Sequence, residues 1–308
     1  MIRFTMPDRS LPQIEQIQAL KEQFNFFLRS PALEEILSLL NVDQYTIRQV
    51  YNGRRMPDGR IRETQELEPL NALEEHRREL YPLLQELGFF SINTPLLSQY
   101  SQVLVLGGSL NACFARTRCA SQWVSASTRC VDGLTCYRPL NPKEREVFPG
   151  FYKGDTEFSA MTDSFIDVFR LSADDIVDDF YGNGNLNLIS CIRAFQHRTA
   201  PEYRVYAAPS MQPKVRRADT GDSILFYLRE VDLLTNDRIL AVTNNRYCNR
   251  QFVQMVYHLM KESFPVYIDV IGCTPDEQII GMDTYDPFQF LQDLIGVLDW
   301  IDRFERDL

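Results

Sequence analysis

Three short runs, "VLVL" at 103–106, "ILAVT" at 239–243 and "VYIDVIG" at 266–272, are almost continuously apolar, and segments of helical periodicity separate them. A strand that is apolar on both faces must be covered on both faces, as happens in a parallel sheet sandwiched by helices. Further strand signals lie at 134–137, 176–180 and 204–207, with helical patterns at about 110–126, 157–170, 185–197, 221–235 and 247–262. Strands alternating with helices predict an α/β class: a Rossmann-like, doubly wound, mainly parallel sheet.

The first hundred residues read differently. Ile14, Ile17, Leu20, Phe24 and Phe27 recur at helical spacing, and Ser30-Pro31 offers an N-cap and first-turn proline for a helix with Leu33, Ile36, Leu37 and Leu40. A polar stretch, "YNGRRMPDGRIRETQE", reads as loop; Asn71 and Glu74 then resemble a capping box for a helix bearing Leu80, Leu83, Leu84 and Leu87, which Gly88 would end. The expected organisation is a helical extension or cap over 1–100 and a Rossmann-like domain over 101–308. That domain closes with a helix opened by Asp286-Pro287 with Gln289 and striped by Leu291, Leu294, Ile295, Leu298 and Ile301.

A net charge of −10 disfavours a general nucleic-acid binder, which needs a basic field to release phosphate counterions, so any anion site must be local. The absence of a long apolar run gives no membrane partner and a cytoplasmic location as the expectation. Seven cysteines read as reduced, mostly buried thiols. The five-residue gaps of Cys113/Cys119 and Cys130/Cys136 are too long for zinc knuckles, and only three histidines could assist, so no metal is expected.

In an open parallel sheet ligands sit beyond the carboxyl ends of the strands. After the first strand come Gly107, Gly108, Ser109 and Asn111; after "ILAVT" come Asn244, Asn245, Arg246 and Arg250. Gly-Gly lets backbone approach a ligand, and a following helix N-terminus favours an anion. Of Arg116 and Arg118, at most one should reach that ligand. The alternative is a tight strand-to-helix connection without ligand. The turn lacks the third glycine and the acidic strand end of a dinucleotide fingerprint, and no Gly-Lys-Ser/Thr follows, which disfavours NAD and a P-loop.

A second cluster, "KVRRADTGDSILFYL", sets Lys214, Arg216 and Arg217 beside Asp219, Thr220 and Asp222, with Thr220 as the expected N-cap and the cations as either an anion-binding rim or a solvated loop. The lone "DTG" cannot supply the paired carboxylates of an aspartic protease. Glu157 opens a helix with Met161, Phe165 and Phe169 inward, and "GNGNLN" at 182–187 reads as a glycine loop or a turn before a helix. No nucleophile constellation stands out, and His258 sits among apolar helix residues as a packing histidine. The candidate catalytic carboxylates are therefore Glu157, Asp219 and Asp222.

The order of these pieces resembles the YdcF-like (SanA/YdcF/ElyC) family over about residues 101–275. The shared features are "VLVLGG", then Arg116 or Arg118 with Ala120, Glu157 with Met161, a helix start at Thr220, Gly221, Asp222 and Ser223, and Thr243-Asn244 leading to Arg246 and Arg250. Either "GNGNLN" or "DTGDS" is the equivalent loop. The resemblance implies a pocket for a nucleotide-like or phosphate-bearing ligand, with S-adenosylmethionine as one cofactor option. The leading expectation is a small anionic ligand bound at Gly107, Gly108, Ser109, Asn111, Arg116, Arg217, Thr220, Asn244, Asn245, Arg246 and Arg250, in a transferase or hydrolase. The other is a non-catalytic binding or assembly module with the N-terminal helices as partner surface, which leaves a homo-oligomer open.

Overall fold

The computed structural model describes residues 1–52, 71–142, 144, 154–182, 184–196, 200–214, 216–273 and 285–308. The polar stretch after Asn52 and His197 lie outside the described residues. Among the described residues seven strands form one sheet: β1 (Gln102–Leu106), β2 (Cys130–Thr135), β3 (Ile176–Tyr181), β4 (Ser190–Phe195), β5 (Glu202–Ala207), β6 (Arg238–Asn244) and β7 (Tyr267–Cys273). Their order is β3-β4-β5-β2-β1-β6-β7. The strands β5, β2, β1, β6 and β7 are mutually parallel. Numbered among themselves in chain order, these five run 3-2-1-4-5, the Rossmann-like order whose reversal point lies between β1 and β6.

Side-chain alternation along β1 divides the interior in two. Val103 and Val105 face one cluster with Val131, Val205 and Val242, while Leu104 and Leu106 face the other with Ile239, Ala241 and Ile268. The first face is covered by α6 (Leu110–Ser121) and α7 (Glu157–Phe169), the second by α8 (Thr220–Glu230) and α9 (Cys248–Lys261). Helices on both faces make the sheet doubly wound, as the apolar runs predict.

The segment at 185–197 is a correction. Its helical pattern is instead β4, preceded by a 3-10 turn at Leu186–Leu188, and it pairs antiparallel with both β3 and β5. Two neighbouring strands with free backbone edges outweigh a short helical periodicity, because a run of this length cannot hold a helix alone. "GNGNLN" is thus part of the connection between β3 and β4. The strand expected at 134–137 also begins earlier, at Cys130, so Asp132 and Gly133 lie inside it. Arg204 on β5 stands in register with Asp132 and binds it at 2.9 and 3.2 Å, which compensates a carboxylate buried in mid-sheet. Burial still pushes the Asp132 carboxyl above its ordinary range.

The N-terminal helices α1 (Gln13–Leu28), α2 (Pro31–Leu39), α3 (Thr46–Val50), α4 (Asn71–Glu74) and α5 (Arg77–Glu86) lie on the α9 side. Ser30 caps α2 through Leu33 N with Pro31 in the first turn. The helix expected from Asn71 is broken into α4 and α5, and Gly88 follows α5 at φ +87. On α1, Leu20, Phe24 and Phe27 are buried but Ile14 faces out. Phe24 meets Phe304 of the C-terminal helix α10 (Pro287–Asp307) edge-on at 5.1 Å, and Asp286 caps α10 through Phe288 N and Gln289 N. Arg3 reaches Asp269 on β7 at 2.5 Å, and Tyr100 Oη and Leu96 N donate to the same carboxylate. The apolar faces of the N-terminal helices therefore join the core of this chain. Among the described residues no helix is long and apolar enough to cross a membrane.

His258 on α9 faces α10, its ring 5.9 Å from that of Trp300, and among the described residues its Nε2 has no hydrogen-bond partner. Burial, reinforced by Arg303, pushes its pKa down to about 4, so the folded protein holds it neutral. The unfolded chain takes up that proton near pH 6.5, so stability is complete above this value and declines as pH falls toward 4, by on the order of 3 kcal/mol. His258→Gln should flatten this part of the urea-midpoint-against-pH curve; an unchanged slope would refute the assignment.

Candidate functional site

The residues after β1, β2 and β6 meet at the carboxyl edge of the sheet. Gly107 N donates to Leu134 O at 2.7 Å, which turns the chain at the end of β1. A Cβ on Gly107 would lie 2.1 Å from Glu157 Oε1 and 2.7 Å from Leu134 O, so only glycine fits beside Glu157. A Cβ on Gly108 would crowd Ala112 at 3.0 Å and Arg116 Nη1 at 3.2 Å. The close approach that the two glycines permit is made by side chains of this protein.

Arg138, three residues beyond β2, explains that approach. Its Nε donates to Glu157 Oε2 at 2.9 Å, Nη1 to Glu144 Oε1 at 3.0 Å and Nη2 to Gly108 O at 2.8 Å. Two carboxylates beside it hold its guanidinium above the ordinary arginine range against the cost of burial. The second oxygen of Glu144 accepts from Leu110 N at 2.9 Å, and Ser109 Oγ caps α6 through Ala112 N. Those two amides at the N-terminus of α6, where an external anion is expected, are thus bound by groups of the chain itself. Asn111 lies half-buried in that first turn. Arg138 and Glu144 carry no motif; only a position just past a strand end marks the first.

Arg116 is the other arginine of the turn. It is 2% exposed, and of the arginine pair on α6 it alone points inward, since Arg118 faces out over the Phe114 ring. Its Nε donates to Asn244 Oδ1 at 2.9 Å and Nη1 to Leu106 O at 2.6 Å; Nη1 also donates to Gly107 O. The Tyr247 ring lies 5.7 Å from Cζ. Among the described residues no carboxylate lies within ion-pair distance of Arg116, and Nη2 has no acceptor. Among the described residues its charge meets only neutral oxygens and the Tyr247 ring. The contact with Asn244 joins the turn after β1 to the end of β6, across the reversal point of the sheet.

The remaining candidates divide. Asn245 sits in the 3-10 turn Asn245–Tyr247 with its backbone against Gly272. Arg246, in that 3-10 turn, and Arg250, in the first turn of α9, point the same way, but at Asp293 on α10, at 3.3 and 3.1 Å. Arg246 also binds Gln289 and Tyr247. Around α8 the N-cap is Asp219 and not Thr220, which is the first helical residue: Asp219 and Asp222 each accept the other's backbone N–H in a capping box. A carboxylate accepts more strongly than a hydroxyl, and this one has its partner three residues on. Arg216 binds both acids, while Arg217 donates to Cys136 Sγ at 3.7 Å and Ala218 O, and Lys214 is exposed. The rim of three cations is therefore partly neutralised by its own helix.

Compared with family models, curated proteins and solved structures, the chain matches none. Among the described residues no group of three or more His, Cys, Asp or Glu is placed to hold a metal ion.

Two outcomes follow from this geometry. Gly107→Ala should lower stability by about 1–3 kcal/mol, because the added methyl meets a carbonyl as well as Glu157; equal urea midpoints would refute the packing. The Arg246→Ala, Arg250→Ala pair leaves Asp293 buried without a counter-charge and should cost about 3–5 kcal/mol, read by thermal unfolding.

Proposed function

We propose that this chain binds a small anionic, nucleotide-like or phosphate-bearing ligand at the carboxyl edge of its sheet, at the reversal point between β1 and β6, with Arg116 supplying the charge. The observation that carries this reading is the buried guanidinium of Arg116, which among the described residues meets the neutral oxygens of Leu106, Gly107 and Asn244 and the Tyr247 ring but no carboxylate. Removing a cation from water is expensive unless a counter-charge and further acceptors replace the hydration, and an anion on Nη2 would do both. Strand ends on either side of the reversal point are where ligands of this fold class sit. The YdcF-like resemblance supports the same place, since "VLVLGG", Arg116 and Asn244 all belong to it, and it keeps S-adenosylmethionine and nucleotides as the cofactor classes to test first.

Arg246 and Arg250 enter this reading as the clamp that fixes α9 against α10. Glu157, bound to Arg138, shapes the turn. Transfer or hydrolysis at a phosphorylated substrate is the reaction class that fits, because a guanidinium stabilises charge developing on phosphoryl oxygens. A cytoplasmic location belongs to the same proposal.

A thermal-shift screen against nucleotides, S-adenosylmethionine, sugar phosphates and inorganic phosphate tests it, with Arg116→Gln measured against its own ligand-free baseline. A ligand at 100 times its Kd stabilises the native state by about 2.7 kcal/mol. The expected result is a concentration-dependent rise in Tm that Arg116→Gln abolishes. No rise with any compound, or an equal rise in the variant, would overturn the reading.

A further inference from the structure

At the end of the sheet away from β7, β4 pairs with one side of β3, and among the described residues no strand pairs with the other. Gln196 N donates to Asp175 O at 2.8 Å just outside this ladder, which fixes the alternation of its antiparallel bonds. Val177, Asp179 and Tyr181 therefore exchange backbone bonds with Ala194, Ile192 and Ser190, while the N–H and C=O of Ile176, Asp178 and Phe180 point away from the sheet. The strand is exposed from Val177 to Tyr181, with Phe180 at 51% and Tyr181 at 66%, so this row of donors and acceptors is open to a further strand.

Side-chain charge decides what that strand can be. From Leu171 to Gly182 the sequence holds Asp174, Asp175, Asp178 and Asp179 and no lysine or arginine, and all four aspartates are exposed. Asp178 is met by Arg193 of β4 at 2.7 and 2.6 Å, and Arg193 lies over the Phe158 ring, which places Asp178 on the α7 face of the sheet. Asp179, the next residue, faces the opposite way. The edge thus carries one carboxylate on each face, with the Phe180 and Tyr181 rings beside them.

We propose that β3 is a docking edge for an extended basic segment of another protein, added to the sheet as a further strand. Main-chain bonds to Ile176, Asp178 and Phe180 hold the segment. Two adjacent basic residues in it alternate between faces and so reach Asp178 and Asp179 respectively, while β-branched residues pack beside Phe180 and Tyr181. The same carboxylates oppose a second copy of this chain. In either antiparallel register that overlaps most of β3, Asp178 stands against Asp178 or Asp179 against Asp179, and like charges directly opposite destabilise a pair. The edge is closed to its own copies and open to a strand of opposite charge. β4, β5 and β2 separate it from β1, so it is independent of the anion site.

The full chain is titrated into the fluorescein-labelled peptide VTVKRVTV at low salt and followed by anisotropy, beside VTVEEVTV and VTPKRPTV. The basic peptide should bind saturably and the acidic one should not. The proline peptide keeps both charges but loses a ladder donor in any register, and should bind weaker by about tenfold. Hydrogen exchange resolved by residue should slow at Ile176, Asp178 and Phe180 when VTVKRVTV is bound. Asp179→Lys should weaken that peptide by about tenfold with Tm unchanged. The peptide series on the wild-type chain decides the question without relying on the folding of the variant. Equal affinity for the proline peptide, no binding of the basic one, slowed exchange elsewhere than β3, or a dimer that slows the same amides without peptide would each overturn the proposal.

Discussion

A guanidinium cannot be buried on apolar terms, and the buried head of Arg116 organises the edge of the sheet around it. Its Nη1 takes the carbonyls of Leu106 and Gly107, and its Nε takes the side chain of Asn244. The end of β1 and the end of β6 are thereby tied to one rigid planar fork, two turns inside α6. Strands on opposite sides of a reversal point have helices leaving to opposite faces, so nothing in the sheet ladder beyond β1 and β6 holds the two exits together. Arg116 supplies that connection through a side chain, and Asn244 passes it on toward Cys273 and the end of β7.

Much of the parallel core was legible, and the reason is physical. Strands covered on both faces must be apolar throughout, so "VLVL" and "ILAVT" announce themselves. The edge hairpin was only half legible. The signal at 176–180 marks β3, although that strand carries Asp178 and Asp179 and is mostly exposed, whereas β4 takes its identity from pairing with β5, which sequence spacing alone does not show. Asp132-Gly133 fails differently: the strand signal at 134–137 starts after the pair, yet the strand includes both, because Arg204 in register on β5 compensates the carboxylate and Met161 packs over the glycine. Compensation by a residue about seventy positions away leaves no local trace.

The same distinction runs through the site. The glycine turn, the limit of one inward arginine among Arg116 and Arg118, and the place of Asn244 at a strand end could be read from strand ends and helix spacing; which arginine turns inward could not. Arg138 and Glu144 could not, because an arginine after a strand and a glutamate six residues on acquire their meaning only when Glu157 and Leu110 N are brought beside them. Arg246 and Arg250 show the converse error of inference. Both do point the same way, but their four-residue spacing does not specify what they meet, and the answer is Asp293 on a helix forty residues downstream.

The two arginines that grip the turn make the edge electrostatically uneven over a very short span. Arg138 holds Gly108 O and faces two carboxylates; Arg116 holds the neighbouring Gly107 O and, among the described residues, faces none. An anion approaching the amides of Leu110 and Ala112 would have to displace Glu144 and the Ser109 hydroxyl, whereas one approaching Arg116 would displace no carboxylate. In a chain of net charge −10, long-range attraction cannot draw an anion in, so any selectivity must come from this local imbalance. With Arg116 only 2% exposed, an anion bound there under the proposed function would have to reach it with a narrow charged group, so shape and charge would select together.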